Sequence, residues 1–192
     1  MDFNLPEELQ MLKDNLRRFV DTELIPIERE TMDGNEMKPE MQSMLEEKAK
    51  GLGLWMFDVP EEFGGLGLGA LAKAVMWEEL SRSIAMPSRG ASLFGPRVSP
   101  ILYYLNDEQK DRYLYPTIRG EMTNCFAQTE PEAGGDPGGI RTTAVRDGDH
   151  YVINGHKRFI TGAGNADFMQ VVAATDRAKG SRGGLTVFLV DK

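Results

Sequence analysis

The chain changes character once, and that change limits what it can fold into. Up to about residue 120 its apolar residues recur at helical spacing; beyond that they fall in short runs bounded by turn formers. Between the two regimes lies the stretch 125–140, dense in Gly, Pro, Thr and Asp, which builds turns with exposed backbone N–H groups rather than packed helix or sheet. The expected fold class is therefore α+β. An N-terminal all-α helical bundle (residues 1–121) should precede an antiparallel, β-barrel-like domain (122–192). A junction lined with free amides is a place where a phosphate-bearing ligand is often held.

The helical half carries its own start and stop signals. Asn4 reads as a cap, Pro6 suits a first turn and Glu7 completes a capping box, after which Leu9, Leu12, Leu16 and Phe19 continue one apolar stripe. Pro26 is expected to end or kink that helix, with a polar loop over 31–38 and a second helix over 39–50 that Gly51 and Gly53 stop. A third helix is expected over 70–82, then a break at Pro87, Ser88 and Gly90, and a further candidate over 98–105. The last helix, 108–119, would be capped by Asn106 or Asp107, bent at Pro116 and ended by Gly120. Five or six helices with short loops make a bundle. Gly65, Gly67 and Ala70 satisfy the G-x-G-x-x-A dinucleotide pattern, but Pro60 to Phe63 separate them from the preceding apolar run and no second strand ending in an acid comes after them. That stretch reads as a connector into a helix.

In the β half, strands are expected over 142–146, 151–153, 158–161, 168–175 and 185–191. Asp147-Gly148 and Asn154-Gly155 supply hairpin turns between the first three, and a basic, Gly-rich loop joins the last two. Five strands are few for closing a barrel, so the sequence reads as a domain cut short.

Composition excludes some functions. A net charge of −8, from 30 acidic and 22 basic residues, leaves no basic stripe for nucleic acid. The single Cys125 rules out an intramolecular disulfide and suits a reducing compartment. No apolar run approaches a membrane span and the first residues lack the features of a signal peptide, so a cytoplasmic protein is expected. Two His and one Cys do not make a typical structural zinc site, neither an H-E-x-x-H nor a Walker A pattern occurs, and no metal is expected. His150 and His156 read as solvated surface residues.

Two sites repeat one theme. Thr129 precedes the Glu130-Pro131 turn and its glycine-rich nest, and Phe159-Ile160-Thr161 leads into Gly162-Ala163-Gly164. Each pairs a hydroxyl with exposed amides, and the second adds an aromatic face. Stacking, hydroxyls and amides together would serve a flat heterocycle with polar edges and a pyrophosphate. On the residues alone, ordinary turns between strands account for both sites equally well.

At these residues the sequence resembles the acyl-CoA dehydrogenase family. The likeness runs through Leu5-Pro6-Glu7-Glu8, Pro60 to Gly67 and Asp107-Glu108-Gln109-Lys110. It is most specific in Thr129-Glu130-Pro131-Glu132-Ala133-Gly134-Gly135-Asp136 and in Ile153 to Thr161. The resemblance implies a helical domain, a middle β domain and a C-terminal four-helix domain absent from this chain, with FAD held between the last two. It implies Thr129 at the flavin's pyrimidine edge, Thr161 near N5, Phe159 against the flavin face and Phe126 flanking the ring. Gln128 and Ile160 join the cofactor-binding set, Gly134 and Gly135 face phosphate, and Gly135 also meets substrate. Phe159 stands where many members have Trp, and Gly135 where Ser is frequent, so an indole N–H and a hydroxyl are lost. The region 87–105 would line the acyl pocket.

The implied reaction is α,β-dehydrogenation of an acyl-CoA thioester. A carboxylate takes the α-proton and the β-hydride passes to flavin N5. That base sits in the missing domain in most members; Glu130 reads as a turn-stabilising residue, and no catalytic residue is assigned. An electron-transfer-flavoprotein-type acceptor and a homo-oligomer are the implied partners. The alternatives are an acyl-CoA oxidase or flavin monooxygenase of the same superfamily, or a non-catalytic binding module.

Overall fold

Leu16 and Phe19 are buried on the inner face of the first helix, α1 (Glu7–Phe19), and Leu5, Leu9 and Leu12 pack half-buried along the same stripe, as its spacing expects. A computed structural model describes residues 4–34, 36–87 and 93–192; the break expected at Ser88 and Gly90 lies outside them. The chain divides into two compact units, Met1–Gly120 and Glu121–Lys192.

In the first unit the helix begins two residues later than the capping box suggests. Pro6 occupies the N-cap position without a side-chain cap, and Asn4 lies outside the helix. Pro26 does not stop the helical path. The backbone widens into a π turn (Val20–Leu24), tightens into a 3-10 turn (Ile25–Ile27) and continues into α2 (Glu28–Thr31). A similar path recurs at Pro116, where α5 (Asp107–Gln109) passes through a π turn (Lys110–Leu114) into α6 (Tyr115–Ile118). In each case the slip to i→i+5 bonding, Ile25 N–H to Val20 and Tyr115 N–H to Lys110, falls directly before the proline. The wider turn accommodates a residue that donates no bond and crowds the carbonyl four residues back. Asn106 caps α5 in a full capping box with Gln109. The expected polar loop 31–38 holds a small hairpin, β1 (Met32–Asp33) with β2 (Glu36–Met37), and the candidate helix 98–105 is a 3-10 turn (Pro100–Tyr104).

Helices α3 (Pro39–Gly51) and α4 (Gly69–Leu80) complete the core, with Leu45, Ala49, Ala72, Val75 and Met76 buried beside Leu16 and Phe19. The glycine-rich connector folds back on the residues before it. Gly65 N–H donates to Pro60 O, Leu66 N–H to Met56 O and Gly67 N–H to Val59 O, at 3.2, 3.1 and 2.9 Å. A Cβ on Gly65 would sit 2.0 Å from Val59 O, so close backbone approach requires glycine there. Its amides are engaged within the chain, and the loop is no phosphate cradle.

Glu79 of α4 is fully buried and accepts from Arg17 Nε and Nη2 of α1 at 3.1 and 2.8 Å and from Arg82 Nη1 at 3.3 Å. Burial raises its pKa, and the Arg17 and Arg82 bonds outweigh burial and leave it below the ordinary carboxylate range. The side chain of Arg17 is 50% exposed, so the pair meets water on the cationic side only. Removing the cation therefore costs more than removing the buried charge. In urea denaturation, Arg17→Met should destabilise by about 2–3 kcal/mol and Glu79→Gln by about 1 kcal/mol.

The second unit is a mixed, open sheet rather than an antiparallel, closing one. β6 (Phe168–Ala174) is its centre and pairs antiparallel along its whole length with β7 (Leu185–Asp191). β7 therefore covers one edge of β6. The other edge is shared by β3 (Asn124–Ala127), parallel from Asn124↔Phe168 to Ala127↔Val171, and β4 (Thr143–Asp147), parallel at Thr143↔Ala174. β4 turns at Gly148 (φ +60°) into β5 (His150–Asn154), as Asp147-Gly148 predicts. Parallel pairing is open to β3 because a long connection containing the β4–β5 hairpin separates it from β6.

Two expected features fail. Residues 158–161 form no strand, and Asn154-Gly155 makes no hairpin turn. Instead Gly155 lies against the side chain of Thr142; a Cβ there would fall 2.1 Å from Thr142 Oγ1. The glycine serves packing, and the chain leaves the sheet.

Candidate functional site

The residues marked by the sequence gather at the end of β3 and in the loop after β5. Along β3, Cys125 and Ala127 are buried while Phe126 stands 46% exposed, the alternation of a strand with one covered face. This strand occupies part of what the sequence presents as turn. The chain then passes half-buried Gln128 and Thr129 into a tight turn closed by reciprocal bonds between Glu130 and Ala133, N···O 2.9 and 3.3 Å. Ala133 anchors the turn in a small core with Ile140 and Val172.

Glu130 is 4% exposed and organises the site. Its Oε2 accepts the Arg141 N–H at 2.6 Å, and its Oε1 accepts the Thr142 N–H at 3.0 Å and Lys157 Nζ at 2.7 Å. Burial pushes its pKa up; the Lys157 bond and the two backbone amides more than offset that and hold it at about 2. Lys157 Nζ also donates to Gln128 O at 2.9 Å, and the Arg158 N–H donates to Thr129 O at 2.9 Å. The segments 128–130 and 157–159, far apart in sequence, are thus laid side by side.

Beyond Lys157 the chain turns outward. Phe159 is 79% exposed and takes φ +56°, a left-handed conformation uncommon for an aromatic residue, with the Arg158 guanidinium 4.0 Å from its ring centre. Ile160 is half-buried and Thr161 exposed; the Ala163 N–H donates to Ile160 O at 3.2 Å and Gly162 (φ +80°) turns the chain. Gly134 and Gly135 are exposed, their φ values are ordinary, and a Cβ on either would meet nothing within 4 Å. Nothing within the chain demands glycine at these two positions. Open space at both glycines leaves room for a phosphate-bearing group, and Phe159 separately presents an exposed ring. Asp136 has a local task, accepting the Gly138 N–H at 2.8 Å.

A groove of about 270 Å³ opens nearby in the same unit, with Gly138, Gly139, Arg141, Asp176, Arg177 and Gly180 among its lining residues. Arg177 Nη2 donates to Arg141 O at 2.7 Å across it. Among the described residues no group of His, Cys, Asp and Glu could hold a metal ion, and no helix is long and apolar enough to cross a membrane. Of the region expected to line an acyl pocket, residues 88–92 lie outside the described set, and Leu93, Phe94 and Leu102 are buried.

Comparison with known proteins decides the family. Residues 6–121 match the model of the acyl-CoA dehydrogenase N-terminal domain, and residues 125–192 match that of the middle domain. This chain belongs to the acyl-CoA dehydrogenase family. It is 42% identical over 190 residues to the human mitochondrial short-chain specific acyl-CoA dehydrogenase, covering 97% of this chain and 44% of that one. It is 38% identical over 207 residues to (R)-benzylsuccinyl-CoA dehydrogenase of Thauera aromatica, covering 100% and 50%. Among solved structures, the FAD complex of PigA matches with a TM-score of 0.73 at 31% identity, covering 100% of this chain and 50% of that one. The chain thus spans about half the length of the relatives it matches.

As an acyl-CoA dehydrogenase N-terminal and middle domain pair, the chain shows one residue whose importance its sequence did not announce. Lys157 lies in the second motif without an assigned role, yet it joins both segments; the available signal was opposite charge in two candidate ligand loops. Because Glu130 is depressed to about 2, its contribution to stability is present in full above the pKa of an unfolded glutamate and disappears as pH falls through about 2. Acid titration of the folded protein, followed by circular dichroism, should show on the order of 3 kcal/mol of stability lost between about pH 5 and 2 from this group, and much less in Glu130→Gln.

Proposed function

We propose that this chain is the flavin-cradling portion of an FAD-dependent acyl-CoA dehydrogenase. The observation that carries the reading is the buried Glu130–Lys157 lock, which sets Thr129 beside the segment bearing Phe159 and Thr161 while leaving an exposed ring and two open glycines. Bound FAD would supply the acceptor for a hydride leaving the β-carbon of an acyl-CoA thioester as the α-proton leaves to a base. The residues of this chain bind and orient. Thr129 and Thr161 offer hydroxyls to the pyrimidine edge and the N5 region, Phe159 and Phe126 flank the ring system, and Gln128 and Ile160 complete the cofactor-binding set. The amides of Gly134 and Gly135 face phosphate, with Gly135 also reaching substrate.

Glu130 is unsuited to be the base. A carboxylate held at about 2 with both oxygens engaged has little affinity for a proton at neutral pH. The arginines of the 270 Å³ groove support acyl-CoA, a polyanion, as the substrate class. An electron-transfer-flavoprotein-type acceptor and a homo-oligomeric intact protein extend the proposal from family membership. A cytoplasmic location rests on the single, buried, free cysteine.

The test is anaerobic. The intact protein, loaded with FAD, should show a flavin spectrum that bleaches on adding a matching acyl-CoA; absence of both the spectrum and the bleaching sinks the proposal. Reoxidation faster with dissolved oxygen than with an electron-transfer acceptor would make it an oxidase or monooxygenase instead. Thr129→Ala and Thr161→Ala should each weaken FAD binding by about tenfold, the value of one well-made hydrogen bond, in a fluorescence titration.

A further inference from the structure

Lys157 and Glu130 do more than hold a turn closed. The two side chains are 13% and 2% exposed, so the pair is largely shielded from water and its geometry is set by directional bonds more than by diffuse attraction. The carboxylate is fixed to the start of β4 through the Arg141 and Thr142 amides. Lys157 then carries that reference outward. Its second bond takes the carbonyl of Gln128 at 2.9 Å. Because a trans peptide is planar, with C=O and N–H on opposite sides, pinning Gln128 O toward Lys157 turns the Thr129 N–H the other way. The next peptide is held as well, since Thr129 O accepts the Arg158 N–H at 2.9 Å. Both peptide planes that flank Thr129 are thereby fixed, and with them the direction of its amide and the base of its hydroxyl side chain.

The same lysine sets the approach to the second contact segment. Two residues on, Phe159 holds φ +56°, which an aromatic residue keeps only where its surroundings determine it. It is held between the Lys157 and Arg158 bonds on one side and the Ala163-to-Ile160 bond on the other.

We propose that Glu130 and Lys157 are a positioning pair, which aims the Thr129 amide and the Phe159 ring at one bound flavin by referring both segments to the sheet. The inference rests on the FAD reading above, and neither residue touches the reacting atoms.

The experiment uses the intact protein and FAD, with Lys157→Met, Lys157→Arg and Glu130→Gln. Three quantities are read: FAD affinity by fluorescence titration, visible circular dichroism of the bound flavin, and the melting temperature of the apoprotein. Lys157→Met, which keeps the apolar stem and loses the donors, should weaken FAD binding by tenfold or more and alter the flavin dichroism. Lys157→Arg, which keeps charge and donors, should recover most of both. If Lys157→Met lowers the apoprotein melting temperature but binds FAD within twofold of wild type with an unchanged dichroic spectrum, the pair is structural only and the inference is overturned. Should Lys157→Met not fold, Glu130→Gln decides: several-fold weaker binding with altered dichroism supports the pair, and wild-type behaviour overturns it. A wild-type protein that binds no FAD defeats the flavin reading together with this one, whereas wild-type binding with unaffected variants defeats this one alone.

Discussion

A carboxylate taken out of water is a liability unless its oxygens are met, and the second unit is arranged around meeting those of Glu130. Leaving an ionised group buried and alone would cost several kcal/mol. Two backbone amides and one ammonium remove that cost, and they come from two separate parts of the chain: the start of β4 and the loop after β5. The geometry that satisfies the charge is also the geometry that places Thr129 beside Arg158 and Phe159. Stability and site share one set of bonds.

The helical unit uses a related device with a different exposure. Glu79 is as buried as Glu130, but its cations reach solvent, so it works as a staple between α1 and α4 that water partly screens. Lys157 is mostly buried, and a charge held largely out of water with its partner keeps direction as well as attraction. The prolines of this unit show a comparable economy. Pro26 and Pro116 are tolerated inside helical paths because a π turn precedes each, so the chain bends without exposing apolar residues such as Leu24 and Leu114, which stay buried.

Much of this architecture is legible in the sequence where the cause is local. The α1 stripe, the helix from Pro39, the Asn106 cap and the Gly148 turn all arise from spacing, capping or backbone freedom within a few residues. The motif-bearing stretches around Thr129 and Phe159 are legible as places of exposed amides and hydroxyls. The features that are not legible depend on distant partners. Asn124–Ala127 is a strand because β6 offers it an edge, although its own flank is turn-rich. Residues 158–161 look like a strand and are not one, because Lys157 is drawn into Glu130 and Phe159 takes a left-handed conformation. Asn154-Gly155 carries a hairpin signal, but its glycine is required by the Thr142 side chain.

The sequence by itself determined the order of helical and β segments, most of their ends, and the residue types available to hold a phosphate-bearing heterocycle. These rest on periodicity and local backbone preference, which act over a turn or two of chain. Only the tertiary structure decided that β6 would be the central strand, that β3 would join it in parallel, and that Glu130 and Lys157 would meet. Pairing and charge burial are settled by which groups remain unsatisfied once the rest of the chain has packed.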